Sequence, residues 1–60
     1  MSPEEFKRRR EELGMTQDEI ASALGIKMMT VSRWERGVHP IPRHIGLALE
    51  SIERRQKEAA

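Results

Sequence analysis

The chain has 60 residues, of which 35% are Asp, Glu, Lys or Arg and only 3% are aromatic, and its formal net charge is +1. This length allows one domain with a small core, and the low aromatic content favours an all-helical protein over a β-sandwich. There is no cysteine for a disulfide, and two histidines are a poor ligand set for zinc, so we expect neither a metal nor a cofactor. No apolar run is long enough to span a membrane, and the first residues lack the apolar segment of a signal peptide, so we expect a cytoplasmic protein without membrane contact.

The first helix is predicted to begin at residues 2–5, SPEE. Serine can cap a helix, proline suits its first turn, and the glutamate three positions after the serine completes a capping box. Phe6 and Leu13 form a thin apolar face, and Gly14 is the expected left-handed stop. Arg10 lies on the same face, one turn after Phe6, and an arginine that points inward needs a buried acceptor.

A second capping box, TQDE at residues 16–19, predicts a second helix that ends at Gly25. The third helix must begin within a few residues of Gly25, because Val31, Trp34 and Glu35 fall on one side of it. The same periodicity makes Trp34 a predicted core residue. So short a connection leaves room only for a tight turn, and the two helices should therefore cross steeply as a helix-turn-helix.

Glu35 is the predicted partner of Arg10. It is the only acidic residue between Ile20 and Leu49, and periodicity places it near the inner edge of the third helix. The planar guanidinium group of arginine suits a two-point contact with a carboxylate. We therefore expect a partly buried structural ion pair that joins the first helix to the third.

The segment after Gly37 contains two prolines and is predicted to be a loop, and a fourth helix should follow from Pro42. The apolar stripe of that helix consists of Ile45, Ala48, Leu49 and Ile52. The overall prediction is an all-α bundle of four to five short helices in a single domain over residues 1–60, with a core from about residue 3 to about residue 53. Residues 54–60 lose the apolar period and are expected to fray.

Residues 13–37, LGMTQDEIASALGIKMMTVSRWERG, resemble the Cro/repressor-type helix-turn-helix family, also called lambda-repressor-like or XRE-family. The matching features are the opening Gln17-x-Glu19-Ile20-Ala21, Gly25 at the turn, and the closing Val31-x-x-Trp34-Glu35-x-Gly37. With Arg10 and the proline-bearing segment, the likeness extends over most of residues 6–52. Two features depart from the pattern. Lys27 occupies the usual serine or threonine cap, and Met28 and Met29 replace residues that are polar in many relatives.

The resemblance implies that the third helix enters the major groove of double-stranded DNA. The residues that would face base edges are Met28, Met29, Ser32 and Arg33. The residues that would contact phosphates or the minor groove are Gln17, Lys27, Arg36, Arg43 and His44. Apolar side chains can contact a thymine methyl group and arginine can bind guanine, which accounts for both residue types on one helix. A contact with a partner protein is a second interpretation of the methionine pair.

The predicted function is that of a small transcriptional regulator located at the nucleoid, and specifically a homodimeric repressor on a near-palindromic operator. A single small chain offers few contacts to DNA, whereas two copies could reach half-sites one helical turn apart, ~34 Å. The candidate dimer interface is formed by Ile41, Leu47 and Ile52. We find no catalytic constellation in the sequence, so we expect neither an enzyme nor a small-molecule substrate.

Two other functions remain open from the sequence. An antitoxin-type regulator would bind DNA and also neutralise a partner protein, through the tail after Ile52 or the methionine pair. A protein-interaction module would keep the fold but would have lost DNA binding. Salt separates these cases, because DNA binding through several basic residues weakens steeply as the salt concentration rises.

Overall fold

Four α-helices make up most of the computed structural model, which describes residues Met1–Ala59. They are α1 (Pro3–Glu12), α2 (Gln17–Leu24), α3 (Met28–Glu35) and α4 (His44–Ala59). No strand occurs in Met1–Ala59, so the predicted all-α fold class is confirmed. None of these helices is long and apolar enough to cross a membrane.

The ends of α1 and α2 follow from the capping residues of the sequence. The Ser2 hydroxyl accepts a hydrogen bond from the Glu5 backbone N–H at 3.1 Å. At α2 both halves of the capping box form: the Thr16 hydroxyl accepts from the Glu19 N–H at 3.1 Å, and the Glu19 carboxylate accepts from the Thr16 N–H at 2.8 Å. Gly25 ends α2 with φ of +72°, a left-handed conformation that favours glycine.

The core lies where the inner faces of the four helices meet. Its buried side chains are Phe6, Ile20, Ala21, Val31, Trp34, Ile45 and Leu49. Phe6 of α1 and Trp34 of α3 pack edge to face, with ring centroids 5.6 Å apart and ring planes at 74°. The prediction that the tryptophan belongs to the core is therefore confirmed, and this packing determines which side of α3 points outward.

A tight turn joins α2 to α3 and sets their relative orientation. The Ile26 backbone N–H donates to the Ala21 carbonyl at 2.9 Å, directly after the left-handed Gly25. Ala21 is buried, and its small side chain allows the backbones of neighbouring helices to approach closely. The predicted helix-turn-helix thus forms within residues 17–35.

The fourth helix begins later than predicted and extends into the segment for which fraying was predicted. It begins at His44 rather than Pro42, although the Pro42 carbonyl accepts from the Ile45 N–H at 3.1 Å. It continues to Ala59, beyond residue 54, where fraying was predicted; the remaining residue of that segment, Ala60, lies outside the described residues. Contacts of its last turns with α1 and with the residue that follows α1 account for the longer helix, because Glu53 binds Arg9 and Gln56 donates to the Leu13 carbonyl at 3.1 Å.

Candidate nucleic-acid interface

The packing of Val31 and Trp34 leaves the opposite side of α3 open to solvent. Met28 and Met29 are 47% and 50% exposed, although methionine is an apolar residue. Arg33 is exposed, and within residues 1–59 its side chain makes no hydrogen bond or ion pair. This side of α3 therefore presents two thioethers and a free guanidinium group.

The only acidic residue of α3 points the other way and is neutralised. Arg10 donates from Nε to Glu35 Oε2 at 2.7 Å and from Nη2 to Glu35 Oε1 at 3.1 Å. The two side chains are 11% and 5% exposed, and a third donation goes from Arg10 Nη1 to the Met15 carbonyl at 2.9 Å. The structure thus brings Arg10 and Glu35 together as a two-point ion pair between α1 and α3.

Gln17 joins this ion pair from the first turn of α2. Its side-chain amide Nε2 donates to Glu35 Oε1 at 3.1 Å, so three side-chain N–H groups converge on one carboxylate. Burial alone would raise the pKa of Glu35, but the hydrogen bonds from Arg10 and Gln17 and the charge of Arg10 leave that pKa below its ordinary value. A carboxamide has two N–H groups, and the second one of Gln17 remains for an external acceptor.

The amino end of α3 is basic and has no side-chain cap. Lys27 occupies the cap position with an extended backbone, and its side chain makes no capping hydrogen bond. The Lys27 side chain is exposed, and the first turn of α3 contains no acidic residue. The partial positive charge of the helix start therefore adds to the lysine charge at this point.

The carboxyl end of the exposed face carries a second arginine that contacts Ser32. Arg36 Nε donates to the Ser32 hydroxyl at 3.2 Å and, more weakly, to the Ser32 carbonyl at 3.4 Å. The terminal nitrogens of this guanidinium group are not used by either bond. Ser32, which is half-buried, keeps its hydroxyl proton for donation.

The comparison with protein families agrees with this geometry. A family model described as helix-turn-helix matches residues 6–52, which is most of the chain. The chain belongs to the Cro/repressor-type helix-turn-helix family. This is a family of DNA-binding transcriptional regulators, and the exposed side of α3 is its candidate DNA interface. Searches of curated proteins and of solved structures found no match.

Two further residues assigned to the DNA interface of this helix-turn-helix protein lie at the start of α4. Arg43 is exposed in the turn immediately before the helix, and His44, also exposed, is its first residue. The Arg43 carbonyl accepts from the Gly46 N–H at 3.3 Å, which orders this backbone while leaving the arginine side chain free.

The three residues predicted to form a dimer interface have unequal surroundings in the helix-turn-helix fold. Ile41 and Ile52 are half-buried and pack against the core of their own chain. Leu47 is 71% exposed on the outer side of α4. Within one chain, Leu47 is therefore the residue of this group whose apolar surface is least covered.

An ion pair between α1 and α4 was not predicted from the sequence. Arg9 donates from Nε to Glu53 Oε2 at 3.0 Å and from Nη2 to Glu53 Oε1 at 2.7 Å. Glu5, one helical turn before Arg9 on α1, lies farther away, at 4.0 Å from Arg9 Nη1. One sequence signal was present: Glu53 follows Leu49 by one turn on the apolar stripe, just as Arg10 follows Phe6.

Proposed function

We propose that this protein is a homodimeric transcriptional repressor that reads a near-palindromic operator with α3 in the major groove. The observation that carries the proposal is the orientation of α3. The side chain of Glu35 is 5% exposed and bound by Arg10, whereas Met29 and Arg33 face solvent. A helix turned in this way offers the phosphate-lined groove positive charge and apolar contacts without a competing negative charge.

Base reading is assigned to Arg33, Ser32, Met28 and Met29. Arginine binds the O6 and N7 atoms of guanine at two points, and a free guanidinium group such as that of Arg33 suits this contact. The Ser32 hydroxyl can donate to a base acceptor while it accepts from Arg36. The two methionines can cover thymine methyl groups, which are the apolar features of the major groove.

Orientation on the duplex is assigned to the polar residues around this face. Gln17, Lys27 and Arg36 would contact phosphates on either side of the groove, and Arg43 and His44 would contact the minor groove or a neighbouring phosphate. Such contacts set the register of the protein without reading sequence. Gln17 has a particular advantage, because its bond to Glu35 orients the amide before DNA is bound.

A dimer is proposed because one small domain buries too little surface for specific binding, which typically needs ~1,000 Å² or more of protein surface. Leu47 is the proposed centre of the interface, with Ile41 and Ile52 at its edge. Light scattering with and without operator DNA tests this step. The expected mass is that of two chains, and Leu47→Ser should shift the population towards monomer; a monomer in both conditions at micromolar concentration would exclude a dimer.

Selection of bound sequences from random DNA tests the function itself. The selected sites should contain two related half-sites, and affinity should fall on the order of 10³-fold between about 50 and about 200 mM salt if a dimer makes several phosphate contacts. A DNA affinity that does not change with salt, or no retention on DNA, would instead favour a protein-interaction module. DNA binding that a partner protein modulates would favour an antitoxin-type regulator.

The variants Arg33→Ala and Lys27→Ala form a matched pair for the orientation of α3. Arg33→Ala should relax the preference at one base pair of each half-site, at a cost of ~1–3 kcal/mol per good contact. Lys27→Ala should weaken binding to all sequences alike. If Arg33→Ala left the selected sequence unchanged, the proposed orientation in the groove would be wrong.

A further inference from the structure

The four methionines of the chain have very different surroundings. Met28 and Met29 are adjacent on the exposed side of α3, at 47% and 50% exposure. Met15 is half-buried and packs against the core. Met1, 41% exposed, lies with its terminal methyl group near Gly46 on α4. Two of the four sulfur atoms are therefore presented together on the surface proposed to meet DNA.

Few other side chains compete with these sulfur atoms for an oxidant. The chain has no cysteine and no tyrosine, and its single tryptophan, Trp34, is buried in the core. Thioether oxidation follows exposure and does not need a lowered pKa, because the thioether has no proton to lose. Met28 and Met29, together with Met1, are thus the sulfur-containing side chains most open to a peroxide.

We infer that Met28 and Met29 form an oxidation site through which peroxide reversibly weakens DNA binding. The inference rests on the function proposed above. In the reaction a methionine sulfur attacks one oxygen of hydrogen peroxide; an S–O bond forms, the O–O bond breaks, and water leaves. Sulfur is oxidised by two electrons to the sulfoxide and the peroxide is reduced to water. Methionine sulfoxide reductases reverse the change.

The sulfoxide is poorly suited to the major groove at these positions. Its oxygen is a strong hydrogen-bond acceptor, and the groove edges of guanine and thymine, as well as adenine N7, also present acceptors. The apolar contact with a thymine methyl group is lost, because a flexible apolar side chain has become polar. A DNA site selected by the reduced protein therefore loses its apolar contact and faces a polar oxygen that its base sequence was not selected to match.

The fold should survive this modification. Neither Met28 nor Met29 belongs to the core, and α3 is held in place by Val31, Trp34 and the Arg10–Glu35 pair. Met15 is the residue whose oxidation would disturb packing, and its partial burial protects it. Loss of DNA binding with an unchanged thermal unfolding midpoint therefore distinguishes this site from general oxidative damage.

The protein is treated with peroxide, and two quantities are then measured on the same sample: the oxidation of each tryptic peptide and the affinity for DNA. Trypsin releases residues 28–33, which contain both interface methionines, separately from residues 1–7 and 11–27, which contain Met1 and Met15. We expect oxidation of peptide 28–33 to track an affinity loss of about tenfold or more for the selected DNA site. Reductases of both stereospecificities should restore the affinity.

Two double variants provide matched controls, each compared with itself before and after peroxide. Met1→Leu/Met15→Leu retains the proposed site and should lose affinity as the wild type does. Met28→Leu/Met29→Leu lacks it and should show no peroxide-dependent change, whatever its starting affinity.

Three results would overturn the inference. The first is full DNA affinity when both Met28 and Met29 are oxidised, and the second is a peptide 28–33 that stays reduced while Met1 is oxidised. The third is an equal loss of DNA affinity in both double variants after peroxide. Absence of salt-sensitive DNA binding before peroxide would instead refute the proposed function, and the inference with it.

Discussion

Arg9 and Arg10, neighbours on α1, hold two different helices with the same two-point geometry but in different surroundings. Arg10 binds Glu35 of α3, and these side chains are 11% and 5% exposed. Arg9 binds Glu53 of α4, and these side chains are 18% and 32% exposed. Two ion pairs with the same geometry can therefore contribute differently to the free energy of unfolding. What matters is whether the charge left behind by a mutation can return to water.

Of the two single arginine substitutions, Arg10→Ala should cause the larger loss in the free energy of unfolding. This change leaves Glu35 buried with only Gln17 as a side-chain donor, and we expect a loss of about 3 kcal/mol in the free energy of unfolding. Chemical denaturation measures it. Arg10→Met/Glu35→Leu should recover most of the loss, because no uncompensated charge remains. A double variant no more stable than Arg10→Ala would show instead that the attraction between Arg10 and Glu35 accounts for most of the lost free energy of unfolding.

At low pH the Arg10–Glu35 pair should contribute less to the free energy of unfolding. The folded pKa of Glu35 lies below that of an unfolded glutamate, about 4.3, because hydrogen bonds from Arg10 and Gln17 outweigh the effect of burial. The stabilisation is therefore complete above that unfolded pKa and is lost as the pH falls through the lower folded value. The unfolding free energies of wild type and Arg10→Ala should converge between about pH 5 and pH 2. A constant difference over this range would contradict the assignment.

The smallest effect is expected for Arg9→Ala. Glu53 can turn towards water once its partner is gone, so the loss should be no more than about 1 kcal/mol. The pKa of Glu53 is lowered mainly by the hydrogen bond from Arg9, and this contribution too disappears as the pH falls. A loss comparable with that of Arg10→Ala would mean that the two sites differ less in solvation than their exposure indicates.

The same two arginines should differ in their effect on DNA binding. Arg10 holds the inner edge of α3 and orients Gln17 through Glu35, whereas the Arg9 side chain binds Glu53 of α4 and lies near Glu5 of its own helix. In a folded background at low temperature, Arg10→Ala should weaken DNA binding by about tenfold through misplacement of α3, and Arg9→Ala should leave it nearly unchanged. Fluorescence anisotropy with the selected site measures both, and equal losses would argue against a separate role for the inner pair.

The sequence by itself determined the parts of this protein that depend on local signals. Serine and threonine caps and the glycine stops set the limits of α1 and α2, because each satisfies backbone groups within one turn of its own position. The apolar period of residues 31–35 determined which side of α3 faces the core, and the solitary acid on that side identified the partner of Arg10. The exposed face of α3 followed by elimination.

Only the tertiary structure decided which inward residues meet when they are far apart in the chain. Arg9 and Glu53 are 44 positions apart, and the period of a helix places a residue on one face without showing which residue of another helix it meets. The same limit applies to Gln17, whose bond to Glu35 depends on the crossing of α2 and α3, and to Ile41 and Ile52, which pack on their own core. Helical period is a property of neighbours in sequence, whereas the choice of partner depends on how whole helices are placed in space.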